Sequence, residues 1–198
     1  MNNETIEIQI YRKVLKQQLL KISPTTVPEE LDILVEKFSL KKFKKKDLLI
    51  EADTFSDKLY FIISGLVRIF YSKENKEITN VFVCENEIAA GAYSIITGEK
   101  NFNNYEALEN TITLCIEYNE LEELYDKYHS LEHLGRLLVE KYYSNFMKKT
   151  HDVIFLSAEE RYANFVREQA KLLNRVPLRF IASYLGIAQE TLSRLRAK

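Results

Sequence analysis

The chain has 198 residues, with 28 lysines and arginines against 29 aspartates and glutamates and a formal net charge of −1. That balance excludes a protein that coats nucleic acid over its whole surface, and a hydrophobic share of 46% excludes wholesale disorder. The length admits one large domain or two small ones. No run approaches the ~20 apolar residues that span a bilayer. The start, M-N-N-E-T-I-E-I, lacks the basic opening and apolar core of a signal peptide, so a soluble, cytoplasmic protein is expected. Cys84 and Cys115 lie far apart in strand-like runs and without metal-site spacing. Buried free thiols in a reducing compartment are the expectation, with no disulfide framework.

Ile6 to Ile22 carries Ile10, Val14, Leu19 and Leu20 at helical spacing. Ser23-Pro24 ends this helix, because proline disfavours helical geometry in the residue before it. Glu29 to Phe38 reads as a second helix, with Leu31, Leu34 and Val35 inward. The rhythm then changes to short β-branched and aromatic runs. Leu48 to Ile50, Leu59 to Ile63, Leu66 to Tyr71, Ile78 to Val83 and Thr111 to Ile116 read as strands. Ser64-Gly65 marks the turn of one hairpin and Lys73-Glu74-Asn75-Lys76 that of the next. Such spacing predicts an antiparallel sandwich or jelly roll of about eight strands. The run Lys41 to Lys46, K-K-F-K-K-K, reads as a solvated edge that lysines keep from pairing, in preference to a patch that contacts nucleic acid.

Glu120 to Lys127 is a short predicted helix and Leu131 to Lys149 a longer one. On the longer helix Leu134, Leu138, Tyr142 and Phe146 recur every four residues. Such a stripe is either core against the roll or a seam against a second copy of the chain. His151 to Leu156 is the expected hinge between a first domain, 1–150, whose last helix spans about 130–150, and a second, 151–198. Ser157 is a good helix N-cap, with Glu160 three residues on to complete a capping box. The helix that follows carries Tyr162, Phe165, Val166, Ala170 and Leu173.

The last stretch reads V-P-L-R-F-I-A-S-Y-L-G-I-A-Q-E-T-L-S-R-L-R-A-K. Pro177 suits a first helical turn. Leu178, Ile181, Ala182 and Leu185 repeat at helical spacing, and Gly186 stands where the helix should stop. A second helix follows, with Leu192 and Leu195 inward. Helix, glycine turn and helix make a helix-turn-helix. The second helix presents Gln189, Glu190, Ser193, Arg194 and Arg196, groups that read base edges or hold phosphates. From Ser157 onward eight basic residues face four acidic ones, a local charge of +4 that leaves −5 for the remainder. A basic module on an acidic body is what local DNA binding requires.

L-G-I-A-Q-E-T-L-S-R resembles the recognition helix of the Crp/Fnr family of bacterial transcription regulators, whose pattern is approximately R-E-T-V-G-R. The stretch I-E-A-D…D-K-L-Y-F-I-I-S-G-L-V-R-I-F resembles the β-roll of cyclic-nucleotide-binding domains, with Asp53 and Gly65 at its turn positions. The resemblance implies an α+β chain: a β-roll/jelly-roll sensor domain, a long dimerisation helix and a C-terminal winged-type helix-turn-helix. Only Asn174-Arg175-Val176 stands where the family has a wing, so the wing is reduced or missing. By resemblance Glu190 and Arg194 contact bases and Thr191 a phosphate. Gln189 replaces the family's first arginine, and glutamine prefers adenine where arginine prefers guanine. Arg179 and Arg196 are expected on phosphates. Ala188 stands where a serine cap is usual, so the reading helix begins less firmly. A homodimer through Leu134, Leu138, Tyr142 and Phe146, on pseudo-palindromic double-stranded DNA, follows from the resemblance, with RNA polymerase as a further implied partner. The chain stops just past the reading helix, so no further C-terminal contacts are expected.

The family's cyclic-nucleotide site needs a glutamate and an Arg-Ser pair. Those positions fall near Gly91 and near Asn101-Phe102, where only Lys100 carries positive charge. The hydroxyl positions that face adenine fall near Phe146 and Met147. Cyclic AMP is therefore not an expected ligand. Gly91, Tyr93, Asn101, Phe102 and Tyr105 mark the candidate pocket for an unidentified effector, or the roll binds nothing. Two cysteines cannot hold the four-cysteine iron–sulfur cluster of the family's oxygen sensors. His129, His133 and His151 lie outside the predicted roll, so no metal, cofactor or catalysis is expected. The alternative to a DNA-binding regulator is a small-molecule-binding β-roll sensor that acts through a protein partner without touching DNA.

Overall fold

The computed structural model describes residues 3–74 and 76–197. Asn75, in the expected turn, and Lys198, at the end of the expected second domain, lie outside the described residues. The architecture is α+β. The elements are α1 (Asn3–Ile22), α2 (Pro28–Lys37), β1 (Ser39–Phe43), β2 (Leu48–Ile50), β3 (Lys58–Ser64), β4 (Leu66–Lys73), β5 (Lys76–Cys84), β6 (Ile88–Ala90), α3 (Ala92–Thr97), β7 (Asn104–Ala107) and β8 (Thr111–Glu117). They continue with α4 (Tyr118–Lys127), α5 (His129–Phe155), α6 (Ala158–Gln169), a single 3₁₀ turn (Ala170–Leu172), α7 (Leu178–Leu185) and α8 (Gln189–Arg196). The chain forms two compact units. One comprises 1–69 and 82–140. The other comprises 70–81 and 141–198, so the division falls inside α5.

Eight strands make two four-stranded sheets, ordered β1-β8-β3-β6 and β2-β7-β4-β5, and β4 and β5 run from the first unit into the second. Tyr60, Ile62, Val67, Ile69, Tyr105 and Cys115 are among the side chains that pack together as one core. Phe61, Leu114 and Ile116, the alternate residues of β3 and β8, pack instead with Leu15 and Leu19 of α1, Leu31 and Leu34 of α2, Leu121 and Leu124 of α4, and Leu131 and Leu134 of α5. A strand buried on both faces needs a continuous apolar run, which is why β3 reads L-Y-F-I-I without polar alternation. Cys84 and Cys115 are both buried.

Two sequence expectations change here. Ser64-Gly65 is not a hairpin turn: β3 and β4 lie in different sheets, so this corner carries the chain from one sheet to the other. Gly65 has φ 111°, and a Cβ there would lie 2.4 Å from Thr111 Oγ1. Nor is 151–156 a separate hinge, because α5 continues as helix to Phe155 and the break falls at Leu156–Ser157. Strands β1, β6 and β7 and helix α3 had no sequence signal strong enough to place them. β1, which holds the first lysines of the basic run, is an end strand of its sheet, and Lys42 pairs with Glu7 at 2.8 Å. β4 and β5 are sheet neighbours, with Lys73 and Lys76 bounding their turn.

Candidate nucleic-acid interface

Three helices build the C-terminal part of the second unit. Ser157 caps α6: its Oγ accepts from the Glu160 amide at 3.3 Å, and Glu160 Oε2 accepts from the Ser157 amide at 2.8 Å. The Ser157 hydroxyl, which donates to Glu160 Oε2 at 2.7 Å, and the Ser157 amide hold the Glu160 carboxyl below its ordinary pKa. Ser157→Ala removes the cap and is expected to cost about 1 kcal/mol of stability, read as a lowered midpoint in chemical denaturation with an unchanged slope. Arg161, one turn into α6, donates from Nε to Leu185 O at 2.9 Å and from Nη1 to Leu156 O at 2.6 Å. It thus ties the end of α7 to the start of α6.

Pro177 stands one residue before α7 as its N-cap, and Gly186 ends the helix at φ 66°. Gly186 N–H donates to Ser183 O at 3.1 Å and Ile187 N–H to Ala182 O at 3.0 Å, the paired bonds of a Schellman turn. Ala182, Leu185 and Leu192 are buried together with Phe165, Phe180 and Ile181. Leu192, fully buried, pins α8 by its inner face. Gln189, Glu190, Ser193, Arg194 and Arg196 are all exposed, as is Arg179, while Thr191 is half-buried. Arg194 Nη2 lies 3.4 Å from Thr191 Oγ1. The Arg179 guanidinium rests 4.6 Å above the Phe180 ring. Ala188 supplies no side-chain cap to α8. Among the described residues from 141 onward there is no strand, so no wing stands between α6 and α7.

The proposed seam on α5 divides. Leu134 is 2% exposed and belongs to the core of the first unit, and Leu138 packs against that core. These two are core residues, not parts of an open face. The exposed apolar side chains lie further along: Tyr142, Tyr143, Phe146 (62% exposed), Met147, Val153, Ile154 and Phe155.

The candidate effector residues serve several ends. At Gly91 a Cβ would lie 2.6 Å from Ser56 O, so the absent side chain admits that backbone. Asn101 is buried and donates from Nδ2 to Asn103 O at 2.9 Å, while its backbone exchanges bonds with Asp53 and Thr54. Tyr105 is buried, donates to Ala90 O at 2.7 Å, and has its phenol pushed up to about 12 by burial. Tyr93 and Phe102 meet edge to face, 4.8 Å between ring centres, with Phe102 half exposed. Among the described residues no group of three or more His, Cys, Asp or Glu side chains could hold a metal ion.

Sequence reasoning missed a buried arginine and a half-buried lysine. Arg68 on β4, 1% exposed, lies 3.6 Å from Glu106 on β7. Lys149 on α5 donates from Nζ to the backbone oxygen of Asn80 and, at 3.2 Å, to its Oδ1. Its ammonium lies 4.4 Å from the centre of the Tyr184 ring, and burial pushes its pKa down to about 8. A charge inside an apolar strand, L-V-R-I-F, was the available signal for Arg68. Lys149 follows another lysine on a polar helix face and gave none.

No curated protein matches the sequence significantly. Among solved structures, FixK2 from Bradyrhizobium japonicum is 18% identical with a TM-score of 0.70, over 81% of this chain and 83% of that one. The Thermus thermophilus catabolite activator protein is 20% identical with a TM-score of 0.57, over 91% and 85%. A transcriptional regulator assigned to the Crp/Fnr family from Eubacterium rectale is 18% identical with a TM-score of 0.65, over 84% and 80%. Residues 40–128 match the cyclic nucleotide-binding domain family, and over most of its length the chain shares the fold of these solved structures.

Proposed function

We propose that this chain is a sequence-specific transcription regulator of Crp/Fnr type that reads DNA with α8. One observation carries the reading. Leu192 anchors α8 from within while Gln189, Glu190, Ser193 and Arg194 stand exposed on the same short helix. Buried on one side and polar on the other, such a helix can enter a major groove without disturbing its own support. Arg194 reads guanine, Glu190 accepts from cytosine, and Gln189 turns preference toward adenine. Thr191, Arg179 and Arg196 hold phosphates.

The protein acts as a homodimer. The apolar face of α5 from Tyr143 to Phe155 is covered by a second copy of itself, and two α8 helices then meet half-sites about 34 Å apart. Cyclic AMP is not the effector, since Asn101 and Phe102 cannot neutralise a cyclic phosphate; an effector of another kind, or none, acts through the roll. RNA polymerase is a further partner in this reading. No catalytic step is assigned. Among the described residues no helix is long and apolar enough to cross a membrane.

Selecting bound DNA from a random pool tests the proposal, which requires a pseudo-palindrome. On the selected site Arg194→Ala is expected to cost ~1–3 kcal/mol and to relax preference at one base position. Arg179→Ala or Arg196→Ala is expected to weaken binding to every sequence and to lower the salt slope by about 0.9 each. Equal binding of the selected site by native protein and the Arg194 variant removes the assignment of α8.

A further inference from the structure

Among the described residues the helix-turn-helix has no wing of its own, yet its unit contains β structure: residues 70–73 of β4 and 76–81 of β5. β5 is the last strand of its sheet, so no further strand borders its outer side. An edge of this kind offers backbone donors and acceptors to whatever lies beside it. Here that neighbour is α7. The Ser183 hydroxyl accepts from the Thr79 amide at 2.9 Å and donates to Glu77 O at 3.1 Å. Backbone groups two residues apart on one edge are the pair that an adjoining strand would engage. A single hydroxyl on a helix does the same work with one atom. One residue further along β5, Lys149 donates to the Asn80 carbonyl. The Lys149 ammonium also sits against the ring of Tyr184, the residue after Ser183.

We propose that Ser183 and Lys149 form a latch that fixes the β4–β5 hairpin tip to α7, so that the hairpin takes over from the absent wing the task of orienting α7 and α8. Both are positioning residues: neither belongs to the exposed reading face of α8. Their spacing makes the latch specific. Ser183 addresses 77 and 79 while Lys149 addresses 80, so neighbouring residues of β5 are held from two helices. Leu66, Val67, Ile69 and Val83, at the base of the same hairpin, are core residues of the first unit. The base of the hairpin thus belongs to the first unit and its tip to the second. An opened latch leaves every reading side chain in place but lets α7 and α8 sample more orientations, which reduces binding-competent molecules without changing which bases are preferred.

This consequence for DNA rests on the reading proposed above, whereas the latch itself is tested without DNA. Full-length native protein, Ser183→Ala, Ser183→Thr and Lys149→Met are compared by amide exchange of peptides covering 76–81 and by anisotropy with labelled duplexes from the selected pool. Ser183→Ala is expected to speed exchange of the hairpin tip by about tenfold, the loss of one or two hydrogen bonds. It is expected to weaken binding to preferred and random duplexes by the same factor, roughly fivefold, with an unchanged salt slope, because no phosphate contact is lost. Threonine restores both properties, since it keeps the hydroxyl. Lys149→Met shows the same pattern and stands in if Ser183→Ala fails to fold. Unchanged exchange in both Ser183→Ala and Lys149→Met overturns the latch. Faster exchange with unaltered DNA affinity overturns its orienting role. Native protein that binds no selected duplex defeats the DNA-reading proposal instead, and the exchange comparison still decides the latch.

Discussion

Phe146→Glu with Met147→Glu is expected to leave each subunit folded, abolish the dimer and lower affinity for the full palindromic site by at least about 100-fold. Both side chains are more than half exposed, so neither supports its own subunit's core. Tyr143, Ile154 and Phe155 are further exposed apolar side chains on the second half of α5. Several exposed apolar side chains on one helix mark an interaction surface. Each such side chain contributes on the order of 1.5–3 kcal/mol when fully buried, and an unpaired carboxylate in its place opposes burial outright. A dimer gains operator affinity because the second half-site binds intramolecularly, an advantage of 10²–10⁴ in general. The variant should therefore bind a single half-site as the native protein does and lose only that advantage. Sedimentation velocity and titration of half-site and full-site duplexes check this. Native sedimentation by the variant removes α5 as the seam. Equal losses on both duplexes point to damaged helices instead.

The second large effect is expected at the corner between the sheets. Gly65→Ala should destabilise the first unit by about 4 kcal/mol, the combined cost of a strained backbone and an overpacked contact. Its φ of 111° lies outside what side chains readily adopt, and a Cβ would meet Thr111 at its Oγ1 and, at 2.7 Å, at its backbone Cα. Thr111 cannot step aside. It is 1% exposed, its hydroxyl donates to Glu109 O at 2.9 Å, and its strand pairs with β1. For a chain of this size the loss corresponds to a fall in melting temperature of roughly 8–16 °C, measurable by calorimetry. A melt within 2–3 °C of native would mean that the corner relaxes around the added methyl.

These effects separate what can be read along the chain from what cannot. The capping box of Ser157 and Glu160, the glycine turn at 186 and the plug at Leu192 were all legible, because each is settled within a turn or two of helix. The strands β3, β4, β5 and β8 were legible too, since apolar β-branched and aromatic runs carry their own signal. The corner at Gly65 was visible as a turn, but turn chemistry does not say whether the flanking strands pair or part. The stripe on α5 had the right period, yet period records only that one face is apolar. Leu134 and Phe146 share that pattern, and only packing sends the first into a core and leaves the second open.

By itself the sequence determined the helix-turn-helix, its capped supporting helix and the presence of several short strands, because those are set by patterns within a few residues. The tertiary structure alone decided that Ser183 grips β5, 104 and 106 positions away, that Lys149 reaches Asn80 across 69, and that Leu134 is interior. A hydroxyl or an ammonium is chemically the same in solvent or against a strand edge. Its role follows from which distant backbone the fold brings within three ångströms, and no local spacing encodes that encounter.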